Sequence, residues 1–247
     1  MTKNYRDKSF KSVVSVDDPQ QRIDDWLKSW DDGTLGSLVD THPDPCLVEH
    51  FNDLTAGRPH LRILVPLCGT CLDMKWFADR GHSVVGVDIS EVAARLFFDR
   101  NQIPHTVEDL PHVQGKLYRS TDAAVKFYVI NFYDFNENLE GLFDVVWDTG
   151  SFGSIDVRDR DRYMTAINSV LKPNCVYLLE TLVFDKTKFE GPPYSFFIED
   201  VEEVFGNKFI VVKVAVHDYD LPKDDWDIEE SIKDIGFRFH FYCLTRM

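Results

Sequence analysis

Residues 62–90 carry the sequence RILVPLCGTCLDMKWFADRGHSVVGVDIS, which decides the fold class. The apolar run at residues 63–67 has the length of a strand, and residues 72–80 suit a helix that ends at Gly81. Residues 83–89 are rich in β-branched side chains and almost wholly apolar, as in a parallel strand buried on both faces. The stretch predicts a strand–turn–helix–strand crossover unit of the kind that binds nucleotides.

The alternation of strands and helices continues on both sides of this unit. Helices are predicted after Pro19, around residues 47–54, after the capping residue Ser90, and at residues 159–171 and 198–205. After a long polar connection that holds Pro104 and Pro111, strands are predicted at residues 116–119, 125–132, 143–148, 176–184, 209–217 and 236–245. The pattern indicates a doubly wound α/β sheet, and the last two strands are expected to pair antiparallel at one edge.

Two residues at the predicted strand ends indicate the ligand. Gly69 follows the first strand of the unit, and Asp88 ends the second strand 19 residues later. An acid at this distance commonly accepts hydrogen bonds from ribose hydroxyls. The turn has a single glycine, preceded by Pro66, whereas a dinucleotide pyrophosphate needs several glycines for close backbone approach. An adenosine ligand without phosphates, such as S-adenosylmethionine, therefore fits better.

The turn also contains Cys68-Gly69-Thr70-Cys71, a spacing found in redox and zinc sites. A second pair with metal-ligand spacing does not follow, and Cys175 and Cys243 stand alone. We therefore interpret Cys68 and Cys71 as small buried residues that line the turn, and we expect no metal.

The composition narrows the class of protein. The chain has 247 residues, a formal net charge of −15 and no apolar signal core at its start. This acidity argues against nucleic acid and anionic membrane partners, and no stretch approaches the length that crosses a bilayer. Five scattered cysteines, an odd number, indicate a reducing compartment. We expect a cytoplasmic protein.

Several motifs resemble the thiopurine S-methyltransferase family. They are PLCG, MKWFADRGHSVVGVDIS, FDVVWD, DRDRY and GPPY, and the likeness is strongest at residues 62–194. The resemblance implies one domain over residues 1–247, with a seven-stranded sheet into which the last strand is inserted antiparallel. Residues 1–18 would form a loose arm and residues 19–55 the helices of an N-terminal lid. It further implies S-adenosylmethionine as cofactor, a small-molecule thiol as substrate, and a monomer.

The resemblance also assigns roles by position. Trp26 and Trp30 would cover the cofactor, and Leu67, with Gly69, would touch it at the first turn. Asp88 would take the ribose. In the family, the residues at the positions of Asn131 and Phe132 flank the adenine. Ordinary packing is the alternative for the two tryptophans and for Phe132.

The substrate half departs from the family pattern. Thr149 stands where the family has an active-site arginine after the Trp-Asp pair, and the lid sequence at residues 33–38 differs as well. Asp148 and Thr149 are the candidate catalytic residues, and Thr149 also lies at the cofactor edge; a structural strand-end acid is the alternative for Asp148.

The segment Gly191-Pro192-Pro193-Tyr194 either lines the binding site of a flat substrate or is only a structural turn. A non-catalytic cofactor-binding relative and a nicotinamide-dependent dehydrogenase are the competing functions; the single-glycine turn argues against the second.

Overall fold

A computed structural model describes residues 18–33, 35, 42–218 and 237–247 of the chain, with only the backbone described at residue 218. The arm at residues 1–17, most of the lid sequence and the acidic segment at 219–236 lie outside the described residues. Nine strands form one sheet: β1 Arg62–Pro66, β2 Ser83–Asp88, β3 His105–Asp109, β4 Lys116–Ser120, β5 Val125–Val129, β6 Phe143–Thr149, β7 Leu171–Val183, β8 Phe209–Asp218 and β9 Arg238–Arg246.

The sheet has the order β3-β4-β5-β2-β1-β6-β7-β9-β8. Strands β5, β2, β1, β6 and β7 are parallel neighbours. Strand β9 lies antiparallel between β7 and β8, so the last strand is inserted into the sheet and β8 forms the edge. The mostly parallel, doubly wound sheet is thus confirmed, and the antiparallel pairing of the last two strands with it.

The sheet has nine strands, whereas the family resemblance implied seven and the sequence pattern predicted eight. The predicted strands β4 and β5 pair antiparallel as a hairpin, and the additional strand β3 pairs antiparallel with β4 within the predicted polar connection. Four of the five residues of β3 are exposed, because the strand lies at an edge with little packed against it. An edge strand of this kind lacks the apolar alternation by which a strand is recognised.

Eight helices are described: α1 Pro19–Asp31, α2 Pro45–Leu54, α3 Asp73–Ala78, α4 Glu91–Arg100, α5 Glu137–Glu140, α6 Ser151–Ser154, α7 Arg160–Ser169 and α8 Ile198–Phe205. Their starts follow from local chemistry. Asp18 and Asp44 accept backbone N–H groups at the starts of α1 and α2, each followed by a proline, and Ser90 caps α4 as predicted. None of the described helices is long and apolar enough to cross a membrane.

The core lies on both faces of the sheet. Helices α2, α3 and α4 cover one face, where Phe51, Phe77 and Phe97 are fully enclosed. Helices α6, α7 and α8 cover the other face, through side chains such as Phe152 and Tyr163. The helices on both faces leave the carboxyl ends of the parallel strands as one edge on which a ligand can be held.

The boundary predicted between the helix at 159–171 and the strand at 176–184 is wrong. Helix α7 ends at Ser169 and strand β7 begins at Leu171, so that Lys172-Pro173-Asn174 belongs to the strand. Leu171 pairs with Phe143, and the register shifts before the next pair, Val145 with Val176. A proline near the start of a strand is compatible with such an irregularity.

Candidate functional site

The turn after β1 has an unusual backbone. Leu67 and Gly69 have positive φ angles of 41° and 48°, and Leu67 is a non-glycine residue in this strained region. The amide of Cys68 donates to the carbonyl of Val87 at 3.1 Å, which extends the pairing of β1 and β2 into the turn. The turn thus carries Leu67 and Gly69 to the carboxyl edge of the sheet.

Asp88 lies at the centre of this edge. Its Oδ2 accepts from the Gly69 amide at 2.9 Å, and its Oδ1 accepts from the Ser90 amide at 2.9 Å. The residue is only 6% exposed, and burial raises the pKa of its carboxyl although the backbone amides oppose this shift. Each oxygen has a further lone pair, so the carboxylate can still accept from a ligand.

Helix α1 closes over the same turn. The Cζ2 atom of Trp30 lies 3.1 Å from the position that a Cβ on Gly69 would take. At the other end of the helix, the buried Arg22 donates from Nε to Oδ2 of Asp159 at 3.0 Å. Trp26 is half-buried and lies four residues from both Arg22 and Trp30, on the same helix face. The structure therefore brings the predicted Trp30, Gly69 and Asp88 together.

Asn131 and Phe132 follow β5. Asn131 is half-buried, and its Oδ1 accepts from the amide of Tyr133 at 3.0 Å. Phe132 is 3% exposed and packs against Phe135 and Tyr163 with ring centroids 6.2 Å and 5.3 Å apart. Core packing, the alternative left open for Phe132, accounts for these contacts.

Asp148 is fully buried at the end of β6. Its Oδ2 accepts from the hydroxyls of Tyr163 at 2.7 Å and Tyr177 at 2.5 Å, and its Oδ1 accepts from the Phe152 amide at 2.9 Å. Burial raises the pKa of this carboxyl, against the effect of these donors. These contacts join β6 to β7, α6 and α7. They agree with the structural role that the sequence left open as the alternative to a catalytic role for Asp148.

Thr149, the next residue, leads to a polar cluster that sequence reasoning missed. Its hydroxyl donates to Oε2 of Glu180 on β7 at 2.9 Å. Asp44, Glu180 and His217 each place one ligand atom within 4.8 Å of the others. Cys46 Sγ lies 2.9 Å from Nδ1 of His217, and burial raises the pKa of this thiol to about 11. The signal available in the sequence was Glu180, a charged residue within an apolar strand.

The two cysteines of the first turn are both buried. Cys68 packs beside Gly86, where a Cβ would lie 2.7 Å from its sulfur, and burial raises the pKa of the Cys68 thiol well above its usual value. Cys71 donates to Asp73 at 3.5 Å. Across residues 18–33, 35, 42–218 and 237–247, neither cysteine belongs to a group of three metal-ligand side chains.

The GPPY segment packs against α6 and α7. The amide of Tyr194 donates to the carbonyl of Gly153 at 2.7 Å, and the guanidinium of Arg160 lies over the Tyr194 ring at 5.1 Å. The aromatic ring is half-buried by these contacts. The segment is thus held in place by α6 and α7.

An S-adenosyl ligand fits these residues. The buried carboxylate of Asp88 can accept ribose hydroxyls, and the positive φ of Gly69 lets the backbone of the turn approach a ligand beside the Trp30 ring. The turn is not the glycine-rich cradle that a pyrophosphate requires. The residues present match an adenosine ligand without phosphates.

Solved structures with the same fold are methyltransferases. The chain is similar to the 1,6-didemethyltoxoflavin-N1-methyltransferase of Burkholderia thailandensis, with bound S-adenosylhomocysteine: 17% identity, TM-score 0.62, 95% of this chain and 92% of that chain. A methyltransferase from Anabaena variabilis gives 13% identity and TM-score 0.61 over 90% and 93% of the two chains. Fold and site together define an S-adenosylmethionine-dependent methyltransferase.

The particular family follows from sequence. The model of the thiopurine S-methyltransferase family matches residues 21–237. The thiopurine S-methyltransferase of Rattus norvegicus is 38% identical over 190 residues, or 75% of this chain and 78% of its own length. That of Canis lupus familiaris is 34% identical over 217 residues, or 86% and 87%. The chain belongs to the thiopurine S-methyltransferase family.

Proposed function

We propose that the protein transfers the methyl group of S-adenosylmethionine to the sulfur of a small-molecule thiol. The observation that carries the cofactor half is the contact of the Gly69 amide with Asp88 beside the ring of Trp30. The acceptor class rests on relatives named for thiopurine S-methylation. When bound, the cofactor supplies an electrophilic methyl on a sulfonium centre.

Residues at the carboxyl edge bind and orient the cofactor in this proposal. Asp88 accepts the ribose hydroxyls, and Leu67 and Gly69 present the backbone of the first turn. The remaining contacts come from Trp26 and Trp30 on α1, from Asn131 and Phe132 after β5, and from Thr149. Helices α1 and α2 form the lid, and Trp30 excludes water from the turn.

The protein's contribution to the reaction is alignment. An aromatic or heterocyclic thiol is partly ionised near neutral pH, so the site needs no strong general base. The rate enhancement then comes from the orientation of the two reactants. Asp148 acts as a positioning residue: it holds β6 against α6 and α7 and so fixes the backbone that carries Thr149. Thr149 directs its hydroxyl to Glu180 and lines the acceptor side.

The charge of the acceptor side favours one group of thiols. Thr149 replaces a cationic family position and offers a hydroxyl, which it donates to Glu180. A carboxylate-bearing acceptor would lack the bidentate partner that an arginine at this position provides. We infer that neutral or weakly anionic thiols are preferred over thiols such as thiosalicylate.

The test is turnover with a panel of thiols. The full chain is incubated with labelled S-adenosylmethionine and aliphatic, heterocyclic and inorganic sulfur nucleophiles, and the formation of S-adenosylhomocysteine is measured. We expect turnover with neutral heterocyclic thiols. In a separate calorimetric titration we expect S-adenosylmethionine to bind and NAD not to bind. Binding of the cofactor without transfer to any acceptor would instead support a non-catalytic relative.

We also propose that the protein is a single-domain, monomeric, cytoplasmic enzyme, as the family resemblance and the cysteine pattern indicate. Sedimentation of the purified chain would test the monomer, and localisation of a tagged chain would test the compartment.

A further inference from the structure

We propose that Asp44, Glu180 and His217 form a binding site for a divalent transition-metal ion of the zinc type, beside Thr149. One oxygen or nitrogen of each side chain lies within 4.8 Å of the others. The three residues come from separate parts of the chain: Asp44 caps α2, Glu180 lies on β7 and His217 lies near the carboxyl end of β8. The sequence predicts no metal, because the pair of Cys68 and Cys71 has no second pair of ligands. The present cluster has no spacing by which a sequence would reveal it.

An unpartnered oxygen points to a ligand. Glu180 is 6% exposed, and its Oε1 is buried without a hydrogen-bond partner among the residues that the structure describes. The ion-pair contact of this oxygen with Nε2 of His217, at 3.6 Å, is too long for a hydrogen bond. A buried carboxylate oxygen without a donor is costly, and a cation shared with Asp44 and His217 would remove that cost.

The separation of these two atoms suits a shared metal ion. Zinc binds imidazole nitrogen and carboxylate oxygen at about 2.0–2.2 Å, which places two tetrahedral ligand atoms about 3.4 Å apart. The observed 3.6 Å between Oε1 of Glu180 and Nε2 of His217 is close to this value. Asp44 supplies the third ligand atom, within 4.8 Å of the other two.

Two carboxyl groups meet in the cluster, one from Asp44 and one from Glu180. A divalent ion bound between them would offset the repulsion of the two carboxylates. It would also give the unpartnered oxygen of Glu180 a partner.

Two contacts hold the ring of His217. Its Nδ1 lies 2.9 Å from Cys46 Sγ, and the ring stacks on Phe239 with centroids 5.3 Å apart. Metal binding at Nε2 would require Nδ1 to carry the ring proton and donate it to the sulfur. Nε2 is thereby directed toward Glu180, and the side chain, at 30% exposure, leaves a path for entry.

The donor set selects the metal and suggests its role. One nitrogen and two oxygens suit zinc, whereas magnesium and calcium prefer oxygen ligands alone. Three protein ligands leave a fourth position open, as in catalytic zinc sites. The hydroxyl of Thr149 donates to the other oxygen of Glu180, which places the cluster on the acceptor side.

The open position would take the acceptor sulfur, an inference that rests on the proposed methyl transfer to a thiol. On binding, the thiol proton leaves to solvent and the thiolate sulfur coordinates the metal. The sulfur lone pair then forms the bond to the methyl carbon. The bond from that carbon to the cofactor sulfonium breaks, and its electron pair stays on the cofactor sulfur.

Metal stoichiometry tests the site without turnover. The full chain is stripped with a chelator and dialysed against zinc, and bound metal is measured by elemental analysis together with a competing chromophoric chelator. We expect one ion per chain, and at least a tenfold loss of affinity in both Glu180→Gln and His217→Gln. Glu202→Gln and His60→Gln, at positions away from the cluster, are the matched controls and should bind as the wild type does.

Two outcomes would overturn the site. One is the absence of bound zinc in a folded chain, as judged by circular dichroism. The other is zinc that survives both cluster variants, which would place it elsewhere, for example on the cysteines of the first turn. Loss of metal in the variants with unchanged melting temperature in the chelated state supports the site and excludes unfolding as the cause.

The role of the open position has a separate readout. The cobalt-loaded chain is titrated with a neutral heterocyclic thiol in the absence of cofactor, and a sulfur-to-cobalt charge-transfer band is expected. An unchanged cobalt spectrum would refute acceptor binding at the metal. If the band appears while no thiol is methylated, the metal site stands and the proposed methyl transfer fails.

Discussion

The backbone amide of Gly69 donates to Oδ2 of Asp88 at 2.9 Å, and this bond joins the carboxyl ends of the two central strands. The other carboxylate oxygen accepts from Ser90 at the start of α4. One side chain therefore fixes both the cofactor turn and the following helix. Because Asp88 has a structural role as well as the proposed ribose contact, its removal has two consequences that can be measured separately.

Asp88→Ala should weaken S-adenosylmethionine binding at least tenfold. Hydrogen bonds from ribose hydroxyls to a charged carboxylate contribute roughly 1.5–3 kcal/mol each, and the variant loses them. Stability should also fall, because the amides of Gly69 and Ser90 lose their acceptor. Calorimetric titration measures the first effect and chemical denaturation the second.

Ser90→Ala is the matched control for this experiment. It removes the hydroxyl that accepts from Ala93 at 3.1 Å and caps α4, but it keeps the backbone amide of residue 90. We expect a loss of about 1 kcal/mol in the free energy of unfolding and unchanged cofactor affinity. A folded Asp88→Ala chain with wild-type affinity would show that the ribose lies elsewhere.

Trp30→Phe should abolish most of the change in tryptophan fluorescence that accompanies cofactor binding. The Trp30 ring lies against Gly69, so a ligand at this turn alters its surroundings. Affinity should fall too, since the smaller ring covers less of the turn. Trp76→Phe is the control: Trp76 is buried on α3 beneath Arg80 and should leave the signal intact. A full signal in Trp30→Phe would remove this residue from the cofactor site.

The contact between Gly69 and Asp88 was predictable because its signals are local. Gly69 and Asp88 each end a strand of one crossover unit, and parallel strands bring their carboxyl ends to the same edge. Strand β3 was missed because exposed edge residues carry no apolar alternation. The cluster of Asp44, Glu180 and His217 was missed because the sheet assembles it from three distant segments. Residue types at such separations give no spacing to recognise.

Thr149→Arg should raise activity toward an anionic thiol more than toward a neutral one. The new guanidinium would lie near Glu180 and restore a fixed positive charge on the acceptor side. The quantity to compare is the ratio of kcat/KM for thiosalicylate and for a neutral heterocyclic thiol. Thr149→Val, which removes the hydroxyl without adding charge, is the control and should not shift the ratio toward the anion. A wild type that already prefers thiosalicylate would contradict our account of the acceptor side.

Asp148→Asn should lose stability and keep turnover. An amide offers one oxygen in place of two, whereas three donors, from Tyr163, Tyr177 and Phe152, point at this position. Each buried donor left without an acceptor costs about 1–3 kcal/mol. Chemical denaturation should show this loss, while kcat per folded molecule changes only a few-fold. Asp144→Asn, a partly exposed acid on the same strand, should cost less; a large fall in kcat with unchanged stability would instead make Asp148 catalytic.

Glu180→Gln should change how stability depends on pH in the chelated, metal-free chain. Asp44, Asp73, Thr149 and His217 surround this carboxyl, and burial with the nearby acids raises its folded-state pKa above the unfolded value. The folded state therefore holds a proton on Glu180 that the unfolded state releases. The contribution of this proton to the free energy of unfolding is complete below the unfolded-state pKa and is lost as the pH rises through the folded-state pKa.

Within that window the wild type should lose about 1.4 kcal/mol of unfolding free energy per pH unit relative to Glu180→Gln, which cannot titrate. Urea denaturation of both chains from acidic to mildly alkaline pH measures the difference. Glu202→Gln, which changes an exposed side chain on α8, is the control, and its curve should run parallel to that of the wild type. Added zinc should remove the difference in slope, because a bound cation keeps the carboxylate ionised in the folded state. Parallel curves for the wild type and Glu180→Gln in chelator would show that the proton on Glu180 does not contribute to stability in the metal-free chain.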